Sequence, residues 1–293
     1  MSIISWYIRT SWKKNDAKRD AGLTTPEDII RYDNISYGTD KMHLLDVYRP
    51  KGVTGKLPVI VNVHGGAWMY GDKELYQYYC MSLAQRGFAV VNFTYRLSPE
   101  HKFPCHLEDT VSAFAWTLTH AEEYGFDTEN VFAVGDSAGA HILSLFCCIC
   151  TNPEYAAQYE FKAPEGFVPK AVALNCGFYD LATPQPGGAP TGMLMREILP
   201  KKGTQEEKIW ISPLRHVTKD FPPCYIMTAN EDFLRDQQEP LMKALDACGA
   251  KYTYKMYGDD NDRLGHVFHV DMYKATGKIC NDEQCAWFRN ICL

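Results

Sequence analysis

The sequence predicts an α/β fold, with a mostly parallel central sheet flanked by helices in a single domain. Three observations carry that prediction. Short apolar, β-branched runs recur at 58–63, 131–134, 171–175 and 222–229, as strands buried on both faces should read. The first two run directly into glycine-bearing turns and then into helical patterns, the order that βαβ units require. At 293 residues and 46% hydrophobic content, the chain is long enough to bury about three quarters of its unfolded surface in one core.

The elements follow in order. Residues 1 to about 33 form a mixed aromatic and basic segment, expected to be helical. Residues 35–48 read as a strand hairpin, and 58–63 as a strand ending at His64. Between there and the next glycine turn, 107–124 is the clearest helix by apolar spacing. The strand at 131–134 hands over to a small-residue helix at 138–150, and 171–175 is another buried strand. Thr183-Pro184-Gln185-Pro186-Gly187-Gly188-Ala189-Pro190 is rich in turn formers, with helix-like 193–199 and 205–210 after it. A strand at 222–229, a helix from Asp236 through Cys248, an alternating strand at 251–257 and a terminal helix complete the chain. There is no internal repeat.

Val131-Phe132-Ala133-Val134-Gly135-Asp136-Ser137-Ala138-Gly139 is the most informative stretch, because it places a serine between two glycines where strand gives way to helix. A turn that tight leaves no room for bulky side chains two positions either side of the serine, and it lifts the hydroxyl out at the strand's carboxyl end. A five-residue motif also arises by chance; the strand before it and the helix after it are what make Ser137 a candidate nucleophile.

A second turn lies about seventy residues upstream, a separation βαβ architecture supplies. Here Pro58-Val59-Ile60-Val61-Asn62-Val63 runs into His64-Gly65-Gly66-Ala67-Trp68. Attack on an ester carbonyl builds negative charge on its oxygen, and unobstructed backbone N–H groups can be aimed at that charge. The N–H groups of Gly65 and Gly66, with that of Ala138 after the serine, are assigned to this oxyanion hole. A phosphate-binding turn is the competing reading, but neither Gly-x-x-x-x-Gly-Lys-Ser/Thr nor Gly-x-Gly-x-x-Gly occurs at this position.

With these segments in place the sequence resembles the hormone-sensitive-lipase-like branch of the α/β-hydrolase carboxylesterases, acetyl esterases among them. The likeness rests on His64-Gly65-Gly66-Ala67-Trp68 with Gly71-Asp72, on Tyr95-Arg96-Leu97-Ser98-Pro99-Glu100-His101-Lys102-Phe103-Pro104, and on Gly135-Asp136-Ser137-Ala138-Gly139. Ser212-Pro213-Leu214, the strand ending at Ala229 and Asn230-Glu231-Asp232-Phe233-Leu234-Arg235-Asp236 extend it, so that it spans most of residues 40–270. The resemblance implies an α/β-hydrolase fold with a small helical lid, drawn from 1–33 and 183–211. Two departures stand out. Ala67 occupies a position where many relatives carry a third glycine, though it still supplies an N–H, and the segment at 257–265 is longer and more acidic than the family pattern. The tryptophan form of the oxyanion segment also occurs in formamidase-like relatives, which keeps amide and formyl substrates open.

Chain order in such folds is nucleophile, acid, histidine. Asp232, in the loop just past the 222–229 strand, is therefore the expected acid, ahead of Asp236 and Glu231. His266, the first histidine after the last strand, is the expected base, with His269 as its alternative. His64 is read as a structural brace for the glycine turn and His141 as a helix residue behind the Ser137 turn. These parts imply acyl transfer in two stages: His266 takes the Ser137 proton, Asp232 orients the imidazole, an acyl-enzyme forms, and water releases the acid. Such chemistry needs no cofactor and no metal. Trp68 and Tyr70 flank the oxyanion turn, and Met193, Leu194 and Met195 could overhang it or simply pack in the core. A small pocket for acetyl-like acyl groups is the expectation. The competing classes are a serine hydrolase of amides, formamides or peptides, and a catalytically silent binding protein.

Composition bounds the partners. The formal net charge of −6 gives no basic footprint for nucleic acid or an anionic membrane, so a small-molecule ester is the expected partner, with homo-oligomerisation left open. No membrane span or secretion signal is read, and the eleven cysteines are taken as reduced packing residues of a cytoplasmic protein. Cys147-Cys148-Ile149-Cys150 lacks a second ligand pair at zinc spacing. Cys280, Cys285 and Cys292 are read the same way.

Overall fold

The described residues, 2–183 and 191–292 of a computed structural model, hold eight strands: β1 (Ile29–Ser36), β2 (Leu44–Pro50), β3 (Leu57–Val63), β4 (Ala89–Phe93), β5 (Phe126–Asp136), β6 (Ala171–Asn175), β7 (Cys224–Ala229) and β8 (Tyr252–Tyr257). They make one sheet in the spatial order β1-β2-β4-β3-β5-β6-β7-β8. β1–β2 and β2–β4 pair antiparallel, and every other pair is parallel. The helices in chain order are α1 (Ile3–Arg19), α2 (Lys73–Gln85), α3 (Cys105–Thr119), α4 (Ala121–Tyr124), α5 (Ala138–Thr151), α6 (Pro153–Ala156), α7 (Thr191–Ile198), α8 (Gln205–Trp210), α9 (Gln238–Cys248) and α10 (Ala275–Cys292).

Alternation along each strand divides the core into two layers. Val59, Val61 and Val63 of β3 join Val131 and Ala133 of β5 beneath α3, α5 and α9, where Phe114, Phe146 and Leu241 pack. Ile60, Val90, Phe132 and Val134 face the other way onto α2 and α10, against Tyr79, Leu83 and Phe288. Both faces of the central strands are therefore dry, which is why those strands read as continuous apolar runs.

Several boundaries differ from the sequence reading. Only Ile3–Arg19 of the first 33 residues is helical, and the hairpin expected at 35–48 begins at Ile29. β1 is an edge strand with little more than Ile29 buried, so it carries no apolar run to find. The helix expected at 107–124 starts at Cys105 and breaks at His120 before the short α4, which ends on Gly125 in the left-handed region. The run 184–190 lies outside the described residues.

All eleven cysteines are free thiols. Among the described residues no helix is long and apolar enough to cross a membrane. The parallel strands β3, β5, β6, β7 and β8 bring their carboxyl ends to one edge of the sheet, where open α/β sheets build their sites. His64, Ser137, Cys176, Asp232 and His266 each follow one of those strands.

Candidate active site

Ser137 sits between β5 and α5 with φ 52° and ψ −117°, a strained conformation that costs about 1–3 kcal/mol and persists only where packing imposes it. Its N–H donates to Asn175 O at 2.9 Å. The flanking glycines are obligatory: a Cβ on Gly139 would lie 1.9 Å from Val63 O, and one on Gly135 would lie 2.7 Å from Gly139 O.

The structure brings His266 and Asp232 to that serine. His266 Nε2 is 2.9 Å from Ser137 Oγ and its Nδ1 is 2.7 Å from Asp232 Oδ1. Because the carboxylate can only accept, Nδ1 carries the proton and Nε2 is left to accept from the hydroxyl. Asp232 is 5% exposed, and Thr228 Oγ1 and the Leu234 N–H donate to its two oxygens. Burial pushes its carboxyl upward, but the His266 hydrogen bond and charge, with these donors, hold it below the ordinary value. The long acidic loop before His266 folds on itself: Asp259 Oδ1 accepts from the N–H groups of Asn261 and Asp262, and Asn230 Oδ1 accepts from Leu264 N–H. Its length is absorbed before the histidine is reached.

The alternative side chains lie elsewhere. His269 is buried, within 3.3 Å of the Asn175 amide, and burial drops its pKa to about 3. Asp236 is exposed and meets Arg235, and Glu231 pairs with Arg263.

The turn at 64–68 places the N–H groups expected to form the oxyanion hole unequally. The Gly65 N–H donates to the Tyr76 hydroxyl at 3.0 Å, so it is already engaged, and Gly65 does not line the cavity in front of Ser137. Gly66, Ala67 and Ala138 do line it, and their N–H groups have no hydrogen-bond partner among the described residues. On the cavity side the turn thus presents Gly66 and Ala67, while the Gly65 N–H is held by Tyr76. Gly66 has φ 116° and a Cβ there would fall 1.9 Å from Tyr70 O, whereas Ala67 and Trp68 tolerate φ 50° and 60°. His64 steadies the turn through Nδ1 to Gly65 O at 2.7 Å while stacked on Tyr95 at 4.0 Å.

A cavity of about 810 Å³ opens over Ser137, and Trp68 and Tyr70 both line it. Met193 and Leu194 of α7 reach its wall, but Met195 is 1% exposed and packs in the core instead. Along α1, residues from Ile3 to Arg19 contribute much of the remaining wall, and Tyr70 OH donates to Asp16 at 2.7 Å. Trp68 is fixed by a relay that sequence reasoning missed. Its indole N–H donates to His141 Nδ1 at 3.0 Å, and His141 Nε2 donates to Ile211 O at 2.7 Å. Burial lowers the His141 pKa to about 4, which keeps it neutral for this task.

Cys176, Asp232 and His266 place one potential metal donor each within 4.8 Å of one another. Two of those donors are already joined by the Nδ1–Oδ1 hydrogen bond, and burial raises the Cys176 thiol pKa well above its ordinary value.

A serine on a strained strand-to-helix turn, bonded to a histidine and beyond it to a buried aspartate, at the carboxyl edge of a mostly parallel sheet, defines a hydrolase-type site. The chain belongs to the α/β hydrolase fold family, whose sequence model matches residues 60–270. It is similar to esterase LipC of Mycobacterium tuberculosis, at 30% identity over 208 residues, 68% of this chain and 50% of that protein. It is also similar to the acetyl esterase of Salmonella dublin, at 30% identity over 67% of this chain and 61% of that one. The chain spans about half the length of the first curated relatives it matches. The crystal structure of esterase B from Lactobacillus Rhamnosis superimposes with a TM-score of 0.88 at 27% identity, over 98% of this chain and 94% of that one.

Proposed function

We propose that the protein is a serine carboxylic-ester hydrolase that cleaves short-acyl, acetyl-like esters through an acyl-enzyme intermediate. The observation that carries this reading is the continuous line from Ser137 Oγ to His266 Nε2 at 2.9 Å and from His266 Nδ1 to Asp232 Oδ1 at 2.7 Å.

In this mechanism His266 accepts the Ser137 proton as the oxygen attacks the ester carbonyl, and Asp232 stabilises the imidazolium without itself being protonated. The N–H groups of Gly66, Ala67 and Ala138 receive the negative charge of the tetrahedral intermediate, an interaction for which one donor is typically worth about two to three orders of magnitude in turnover. The imidazolium then protonates the departing alcohol. Water, deprotonated by the same nitrogen, releases the acid and restores the serine.

The short-acyl preference is supported by Trp68, which is buried at the oxyanion turn beside Phe178, and by the likeness to an acetyl esterase. The helical segments α1, α7 and α8 act as a lid on a single domain. Eleven free thiols fit a reducing, cytoplasmic setting.

A fluorophosphonate probe tests the serine directly, since it should label the wild type and leave Ser137→Ala unlabelled. Turnover of p-nitrophenyl esters from acetate to octanoate tests the pocket. Equal labelling of both proteins would reject the nucleophile, and octanoate turned over faster than acetate would reject the short-acyl pocket.

A further inference from the structure

Six side chains that line the cavity are also open to solvent: Ile3, Trp6, Tyr7 and Trp12 of α1, Met193 of α7 and Phe233 after β7. Single exposed apolar residues need no explanation, but a ring of them around one mouth does. Ile3 is 87% exposed, Tyr7 62% and Phe233 65%. Three separate segments supply the ring, so it is not a by-product of one helix.

The outer face of α1 carries a second signal. Past Ile3, Trp6, Tyr7 and Thr10, the same helical spacing continues into Lys13, Lys14 and Lys18, all exposed. Arg9 and Arg19, on the inner side, are engaged by Glu100 and by Asp16 and Asp20. No ion pair to the three lysines occurs among the described residues. The helix holds five basic residues and one acidic residue, in a chain whose net charge is −6. The total that argued against an anionic surface thus conceals a local cationic face beside the site's apolar mouth.

We propose that α1, Met193 and Phe233 seat the protein on an anionic lipid surface, and that ester substrates enter the cavity from it carrying an apolar alcohol portion. The second half rests on the ester-hydrolase reading; the first half does not. An interfacial helix of this kind sinks aromatic and aliphatic side chains to the headgroup boundary while lysines stretch back to the lipid phosphates. The two ends of one exposed face, apolar then cationic, supply both contacts. Short acyl groups and a lipid interface are compatible, because the acyl side is bounded by Trp68 whereas the open, apolar side of the cavity faces the ring.

The test uses full-length Ser137→Ala, which needs no turnover, sedimented with vesicles of phosphatidylcholine mixed with phosphatidylglycerol and with vesicles of phosphatidylcholine alone. Binding to the mixed vesicles that weakens with added salt is expected. Replacing Lys13, Lys14 and Lys18 together by alanine should reduce partitioning about a hundredfold, at roughly fivefold per lysine. In the Ser137 background the same triple variant should hydrolyse soluble phenyl acetate at an unchanged rate, which also shows that it folds. Trp6→Ser with Phe233→Ser should weaken binding to both vesicle types. Protein that stays in the supernatant with both vesicles, or binding indifferent to the lysines, would overturn the proposal. So would a dimer in sedimentation velocity that Trp6→Ser dissociates, since a second copy would then cover this face. A loss of phenyl acetate turnover in the wild type would instead strike the ester-hydrolase reading and leave the vesicle result standing.

Discussion

The Gly65 amide and the Tyr76 hydroxyl are 3.0 Å apart, and that hydroxyl donates onward to the Asp136 carboxylate at 2.8 Å. The first glycine of the turn is therefore a tether, holding the turn to α2 and to the residue before the nucleophile. Tyr76→Phe would leave a buried N–H and a buried carboxylate without this partner, at about 1–3 kcal/mol for each. Thermal unfolding should show the loss, and turnover should fall less than tenfold because no oxyanion donor is removed. A fall of about two to three orders of magnitude, the cost of losing such a donor, would return Gly65 to the oxyanion hole.

Asp136 itself makes stability depend on pH. Burial raises its pKa to about 6, against the pull of the Tyr76 hydrogen bond, while in the unfolded chain it titrates at about 3.9. Its contribution is full below about pH 4 and falls as pH rises toward 6, because the unfolded state releases the proton first. The loss amounts to about 3 kcal/mol and is complete above that window. Asp136→Asn, which can still accept from Tyr76, should therefore raise Tm at pH 8 relative to the wild type and flatten the profile between pH 4 and 6. Parallel profiles for the two proteins would contradict the assignment.

The proposed acid and base can be separated from their neighbours by single substitutions. Asp232→Asn should lower kcat on an acetyl ester by about 10⁴-fold, since the amide would favour the wrong imidazole tautomer. Asp236→Asn and Glu231→Gln, both on exposed groups, should leave it unchanged, and His269→Gln should affect Tm before it affects rate. A large kcat loss at Asp236 with none at Asp232 would reverse the assignment.

What was legible in the sequence tracks what is buried on two faces or constrained by turn geometry. Val131 to Val134, Ala171 to Asn175 and the Gly135 and Gly139 pair announced themselves, since neither apolar continuity nor a forbidden Cβ leaves much choice of residue. β1 did not, because an edge strand with one buried end has no pattern to read. The direction of a backbone N–H was equally hidden. Gly65 and Gly66 look alike as letters, and only the position of Tyr76, eleven residues on, shows which one is engaged. The link between Trp68 and His141 joins residues 73 positions apart, beyond the reach of any local pattern, and Lys13, Lys14 and Lys18 vanish into a net charge that counts the whole chain.

That link also sets the clearest expectation for substrate choice. His141 holds the Trp68 indole on one side and Ile211 O on the other, at 3.0 and 2.7 Å. His141→Phe keeps an aromatic ring in the space but removes both bonds, leaving a buried N–H and a buried carbonyl unpaired at about 1–3 kcal/mol each. With the indole no longer pinned against Phe178, the acyl side should admit longer chains. The ratio of kcat/KM for acetate over octanoate esters should drop about tenfold, the scale at which hydrophobic pockets discriminate chain length. Trp68→Phe should shift the ratio in the same direction with a smaller loss of Tm, because Trp68 donates a single hydrogen bond and His141 serves two. An unchanged ratio in both variants would show that the acyl group lies against another part of the cavity wall, and Leu194 would then be the next residue to substitute.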